Sequence, residues 1–145
     1  MSYLEKAKEQ IKKHEGLRLK AYKDSLGFWT IGYGHLCDGG KVMPVKAVID
    51  KTEANELFET DFAVAFSDVS ALFASVWQGL SDNRKIALID MSFNLGIGKL
   101  AEFKQTLAAI KRGDFEAAAN AALASKWAKQ VGKRAITITE QIRKG

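Results

Sequence analysis

The stretch HEGLRLKAYKDSLGFWTIGYGH, from His14 to His35, decides the fold, because the periodicity of the chain changes inside it. Upstream, residues Tyr3 to Lys13 place Leu4, Ala7 and Ile11 on one face of a short amphipathic helix. From Leu17 the pattern turns over. Leu17, Leu19 and Ala21 alternate with Arg18 and Lys20, as in a half-buried strand. Asp24-Ser25-Leu26-Gly27 has the composition of a turn. Phe28 to Tyr33 is aromatic and β-branched and reads as a second strand. Gly32, Gly34 and the pair Gly39-Gly40 mark bends and close backbone approaches. The stretch is thus a small β-hairpin fed by a helix.

Downstream the chain is helical. Thr52 is the expected N-cap of a helix whose apolar positions are Ala54, Leu57, Phe58, Phe62, Ala65, Phe66 and Val69. Ser81 caps the next helix. Its middle, Ile86 to Ile89 with Met91 and Phe93, is apolar nearly all round and so belongs in a core. Gly96 stops it. Lys99 to Arg112 reads as one further helix ended by Gly113, Asp114 caps an alanine-rich segment leading to Trp127, and Ala135 to Arg143 closes the chain. The fold class is α+β: a small sheet-bearing lobe at about residues 13–52 and a larger helical lobe of residues 1–12 and 75–145. A helix from about 52 to 73 joins them, and a cleft between such lobes is the default ligand site.

With 145 residues, 47% of them hydrophobic, one domain with a real core is expected. The formal net charge is +5, which favours an anionic partner without choosing among nucleic acid, membrane and cell wall. Cys37 is the lone cysteine, so no internal disulfide forms, and a free thiol suits a reducing cytosol. Neither a signal peptide nor a membrane-spanning run is apparent. Two histidines and one cysteine at unrelated positions make no metal set, and no cofactor is implied.

The hairpin carries chemistry if its carboxylates face one gap. Acetal hydrolysis needs one protonated carboxyl to give a proton to the leaving oxygen and one ionised carboxylate to activate water. Glu15, at a helix end beside Gly16 and Leu17, suits the acid. Asp24, in a polar turn, suits the base, and the Thr30 hydroxyl suits water positioning. Each residue alone also has an ordinary reading: a solvated helix-end charge, a turn former, a strand threonine.

Taken together they form a pattern. Glu15-Gly-Leu-Arg-Leu-Lys-Ala-Tyr-Lys-Asp24, then Thr30-Ile-Gly-Tyr-Gly-His35-Leu, resembles the active-site segment of phage-type lysozymes, glycoside hydrolase family 24. Weaker similarity continues through Thr52–Asp61, Arg84–Gly96, Glu116–Asn120 and Ser125–Trp127. The resemblance implies a lysozyme-like fold and a muramidase. It would cut, with inversion, the β-1,4 bond between N-acetylmuramic acid and N-acetylglucosamine in peptidoglycan. It assigns Glu15 as general acid, Asp24 as base or cation stabiliser, and Thr30 as the group that positions water. It makes Leu36, Phe93, Thr106 and Asn120 substrate contacts, although Leu36 and Phe93 could equally be core residues. It makes Arg134 the cation beside Glu15, with Lys133 in reserve, and pairs His35 with Asp61 across the lobes in a structural role. Asp61 also falls on the apolar stripe of its helix, where a charge needs a partner. The implied setting is a monomer that binds glycan strands rather than nucleic acid and does not insert stably in membrane. It would accumulate in the cytoplasm of an infected bacterium and reach the wall through a separate membrane-permeabilising holin.

Two other readings compete. A lytic transglycosylase cleaves the same bond but yields an anhydro sugar, and Asp24 with Thr30 argue instead for water as nucleophile. A non-catalytic module for anionic polymer rests on the charge alone. The cations are scattered and no aromatic–basic platform appears.

Overall fold

A computed structural model describes residues 1–145, which cluster into two compact units: residues 11–64, and residues 1–10 with 65–145. In the first unit, α1 (Tyr3–Glu15) ends at Glu15, and Gly16 follows it in the left-handed region. Three antiparallel strands come next in the order β1 (Arg18–Lys23), β2 (Trp29–Gly32), β3 (His35–Leu36). Tyr22 lies opposite Thr30, and Thr30 opposite Leu36. Between Arg18 and Tyr22 the register shifts, so β1 bulges against β2. This bulge corrects the simple alternation expected of β1. Leu17 and Leu19 remain 37% and 39% exposed, because extra residues in a strand spoil the period of two that would bury one face.

A helix of 22 residues, α2 (Lys51–Leu72), starts two residues earlier than a cap at Thr52 would place it. Its cap is Asp50, not Thr52: Asp50 Oδ1 accepts from the Glu53 amide at 2.8 Å, and Glu53 Oε1 accepts from the Asp50 amide at 3.3 Å. Aspartate satisfies an orphan donor as well as threonine does, and the glutamate three residues on completes a reciprocal capping box. No helix of the chain is long and apolar enough to cross a membrane.

The second unit is built around α3 (Asp82–Leu95). Ser81 Oγ accepts from the Arg84 amide at its start, and Gly96 ends it at φ +78°. Residues 85–92 of α3 are all buried, as its apolar surround demands. Around it stand α4 (Ile97–Leu100), α5 (Lys104–Lys111), α6 (Phe115–Leu123), α7 (Lys126–Val131) and α8 (Lys133–Lys144). Helix α8 packs against α3, α6 and α7, with Ile138 and Ile142 fully buried. Each such side chain contributes about 1.5–3 kcal/mol. Arg84 ties α3 to the end of α8 by donating to the Ile142 and Arg143 carbonyls while its guanidinium covers the Phe115 ring. The single helix expected over Lys99–Arg112 is two, α4 and α5, broken at residues 101–103. Phe103 leaves helical geometry to meet the Trp127 ring edge-on at 6.1 Å, so tertiary packing overrides local periodicity there.

Candidate active site

Glu15, Asp24 and Thr30 all fall in the sheet unit. Glu15 is half-buried at the last turn of α1, against the turn between β2 and β3. That contact is possible because the turn holds Gly34, at φ +71°. A Cβ there would come within 2.8 Å of the Glu15 Cδ and closer still to Oε1. Gly34→Ala therefore forces the carboxyl out of place as well as adding backbone strain of about 1–2 kcal/mol. The variant should lose most activity while still melting cooperatively. Wild-type rates in a folded Gly34→Ala protein would show that the position of Glu15 does not matter.

Asp24 sits between β1 and β2. Its Oδ1 accepts from the Leu26 and Phe28 amides, both at 2.9 Å, and its backbone carbonyl accepts from Gly27. One oxygen is thereby clamped, and Oδ2 makes no hydrogen bond within the protein, so it is available to a ligand. Thr30 is almost fully buried in the middle strand, and its hydroxyl donates to the Phe28 carbonyl at 3.0 Å. With its proton committed, the Thr30 oxygen can act only as an acceptor, the polarity needed to hold a water by one of its hydrogens.

His35 Nδ1 lies 2.8 Å from Asp61 Oδ2, with side chains 28% and 29% exposed. Both belong to residues 11–64, so the pair forms inside one unit instead of across two as the resemblance implied. The hydrogen bond that His35 donates to Asp61, opposed by burial and helped by the Asp61 charge, holds the His35 pKa above its ordinary 6.5. A raised folded value means that stabilisation is full below the unfolded value and is lost as pH rises through the folded one. Asp61→Asn should therefore cost stability, by about 1 kcal/mol at most, and the accompanying fall in melting temperature should be larger at mildly acid than at alkaline pH. A deficit that stays constant with pH would break the charge pairing.

The remaining sequence-predicted residues are spread through both units. Leu36 on β3 is 44% exposed, so core packing does not explain it. In the helical unit Phe93 is half-buried on α3. Thr106 is buried on α5 and lines a cavity of about 420 Å³ with Phe103, Gln105, Ala121 and Ser125. Asn120 is exposed on α6, and its Oδ1 accepts from Arg143 at 2.9 Å. Arg134 is held by Asp90, a partner the sequence did not suggest: Nε and Nη2 both donate to Asp90 Oδ1, at 2.9 and 2.6 Å. Lys133 is exposed at the start of α8.

The family profile described as phage lysozyme matches residues 12–143, nearly the whole chain. The chain belongs to the phage lysozyme family. It is a lysozyme-type glycoside hydrolase, and its mostly helical structure with a small antiparallel sheet is the lysozyme-like α+β fold. Among similar proteins, the probable T4-type lysozyme 1 of Dictyostelium discoideum is 30% identical, over 95% of this chain and 94% of that protein. The endolysin of Salmonella phage P22 is 35% identical over 79% and 76%. The pre-baseplate central spike protein of Enterobacteria phage T4 is 34% identical over 90% of this chain, which spans only 26% of the spike protein.

Two further groups in this phage lysozyme were passed over in the sequence. Asp90 lies within a helix read as apolar nearly all round, yet it is wholly buried and accepts from Gln10 as well as Arg134. Tyr22 lies on β1. Its half-buried phenol has a raised pKa, first through burial and then through the charges of Glu15 and, more weakly, Asp24, which Arg18 partly offsets. Both carboxylates therefore lie within electrostatic reach of this one ring.

Proposed function

We propose that this chain hydrolyses peptidoglycan, cutting the β-1,4 bond between N-acetylmuramic acid and N-acetylglucosamine with inversion. The observation that carries the reading is the state of Asp24. One of its oxygens is clamped by two amides and the other is free, in the same small unit as Glu15 and a Thr30 oxygen left as acceptor. Glu15 protonates the glycosidic oxygen as the bond breaks. Asp24 Oδ2 takes the proton of the attacking water, whose other hydrogen is held by Thr30. The sugar passes through an oxocarbenium-like transition state between them. Leu36 in the sheet unit, and Phe93, Thr106 and Asn120 in the helical unit, are the proposed sugar contacts.

Asp24→Asn isolates the base. The amide oxygen can still accept from Leu26 and Phe28, so the turn should survive, but the NH₂ group cannot accept a proton. Lysis should fall by roughly 10²–10⁴-fold with the melting temperature nearly unchanged. The test of the function is a turbidity assay on purified peptidoglycan with mass analysis and anomer assignment of the products. Reducing ends of inverted configuration support the reading. Anhydro ends would establish a transglycosylase instead, and intact glycan would remove the activity altogether.

The endolysin among the relatives supports a place for this activity in a phage, and we propose that the chain acts there on the cell wall of an infected bacterium, as a monomer, after a holin opens the membrane. The net charge of +5 would concentrate the enzyme on an anionic envelope, an attraction that weakens with salt.

A further inference from the structure

We propose that the run Lys41-Val-Met-Pro-Val-Lys46, in the sheet unit, docks reversibly on the interface of an anionic lipid bilayer. The proposal does not depend on the roles given to Glu15, Asp24 and Thr30. The run follows β3 and the turn at Cys37–Gly40, and it forms no helix or strand of its own. It is fastened at both ends. Upstream, Gly40 lies so close to Phe28 that a Cβ there would come within 2.6 Å of the Phe28 Cβ. Downstream, the Ala47 carbonyl accepts from the Ala21 amide at 2.7 Å, and the Ile49 amide donates to the Leu19 carbonyl at 2.9 Å, which ties the segment to β1. Between these anchors Val42, Met43 and Val48 are more than half exposed, and Val45 is completely so. Single exposed apolar side chains are ordinary on a protein surface. Four within seven residues make a patch, and such a patch marks a surface that meets something apolar.

The charges around the patch select the occupant. Lys41 and Lys46 bracket the apolar residues, and Lys20 stands opposite Val48. Lys46 Nζ lies 2.6 Å from Glu53, yet its side chain is 66% exposed. Of the nearby acids, Asp50 and Glu53 are spent capping α2, which leaves Asp38. Apolar tips between lysines suit a bilayer interface. Valine and methionine enter the acyl boundary, the lysine stems lie along them, and the ammonium groups meet lipid phosphates. Lysine is depleted where two proteins meet, so the same bracket argues against a second chain. Behind the run lies a cavity of about 370 Å³, lined by the run itself and by Ile31, His35, Ile49 and Leu57. Interiors are otherwise close-packed, so the apolar tips are not locked into a core and are free to face lipid. Ile31 and His35 are partners across β2 and β3 and both line this cavity. Thr30 and Leu36, the next pair, therefore leave the sheet on its other face, turned away from the bilayer.

The test is co-sedimentation of the whole chain with vesicles of phosphatidylglycerol and phosphatidylcholine in equal parts, and with vesicles of phosphatidylcholine alone. The chain should bind the anionic vesicles, less so as salt rises, and the neutral ones much more weakly. Val45→Asp sets a charge at the tip of the run, where the side chain lies in solvent and the fold does not need it. It should cut partition to the anionic vesicles by about tenfold or more, and Lys41→Ser by about fivefold. Both variants should keep the wild-type rate on purified peptidoglycan, which contains no lipid. Residues 11–64 carry equal numbers of basic and acidic side chains, so the net charge of the chain acts through the helical unit. A Val45→Asp protein that binds as wild type would assign the attraction to that charge and overturn docking by the run. A second measurement reads the place directly. With ¹³C-methyl methionine, the Met43 signal should broaden on spin-labelled bicelles of the same two lipids, while that of Met91, fully buried in α3, should not. A sharp Met43 signal in bound protein also overturns the proposal. Sedimentation equilibrium without lipid tests the other occupant. A dimer that Val45→Asp dissolves, with no binding to vesicles, would make the run a contact between copies and remove the bilayer.

Discussion

Glu15→Gln folds as the wild type does and loses peptidoglycan lysis by at least about 10²–10⁴-fold, the contribution of a positioned general acid. The substitution is nearly isosteric. It leaves α1, the close approach to Gly34 and the turn between β2 and β3 intact, because Gly34 offers space to an amide as readily as to a carboxyl. What disappears is the one proton the leaving oxygen needs. The measurement is lysis of purified peptidoglycan with the melting curve run beside it. Activity within a few-fold of wild type in a folded Glu15→Gln protein would take the acid role from this residue, and with it the inverting mechanism. Asp24→Asn gives the complementary result only if the two carboxyls have different jobs. Similar loss in both, with different pH dependence, is the signature of an acid and a base.

The hairpin was legible because three independent signals coincide in it. A period of two begins at Leu17, turn residues fall at Asp24 to Gly27, and glycines cluster from Gly32 to Gly40. The caps Ser81 and Asp114 and the stop at Gly96 were equally legible, because each rests on one side chain or one backbone angle and needs nothing from elsewhere in the fold. Thr52 failed as a cap for a related reason. Asp50 and Thr52 are both competent cappers two residues apart, and only the reciprocal bond with Glu53 selects between them. The break between α4 and α5 could not be read locally, since the residue that sets it, Phe103, answers to Trp127, 24 positions away in the chain.

The chemical groups divide in the same way. Glu15 ends α1 and Asp24 and Thr30 lie in the hairpin that directly follows, so their spacing was visible as a string. Asp61 betrayed itself by standing on an apolar stripe, and its partner His35 lies in the same compact unit. Tyr22 and Asp90 gave no such sign. The environment of Tyr22 depends on a bulge, and a bulge leaves no mark on a strand whose alternation still looks regular. Asp90 sits on a helix whose middle reads as apolar nearly all round, and only the packing of α8 brings its partner Arg134 to it.

The Asp90–Arg134 pair is a buried ion pair of the helical unit, so breaking it should have a large effect on stability. Asp90 is fully buried and the Arg134 side chain only 9% exposed. Gln10 Nε2 donates to Asp90 Oδ2 at 2.9 Å, and Gln10 is in turn bonded to Gln141, so α1, α3 and α8 share one polar network. Arg134→Met strips the guanidinium from a carboxylate that cannot reach water, which costs about 3–5 kcal/mol. For a chain of this size that is a fall of roughly 10–20 °C in melting temperature. Asp90→Leu should cost a similar amount for the mirror reason, a buried guanidinium deprived of its counter-charge. The double variant Asp90→Leu/Arg134→Met should melt well above either single one, because removing both charges also removes both desolvation penalties. Three melting curves and the wild type close the cycle. If the two single losses simply add in the double variant, Asp90 and Arg134 stabilise the fold through separate contacts and the bond between them contributes nothing of its own.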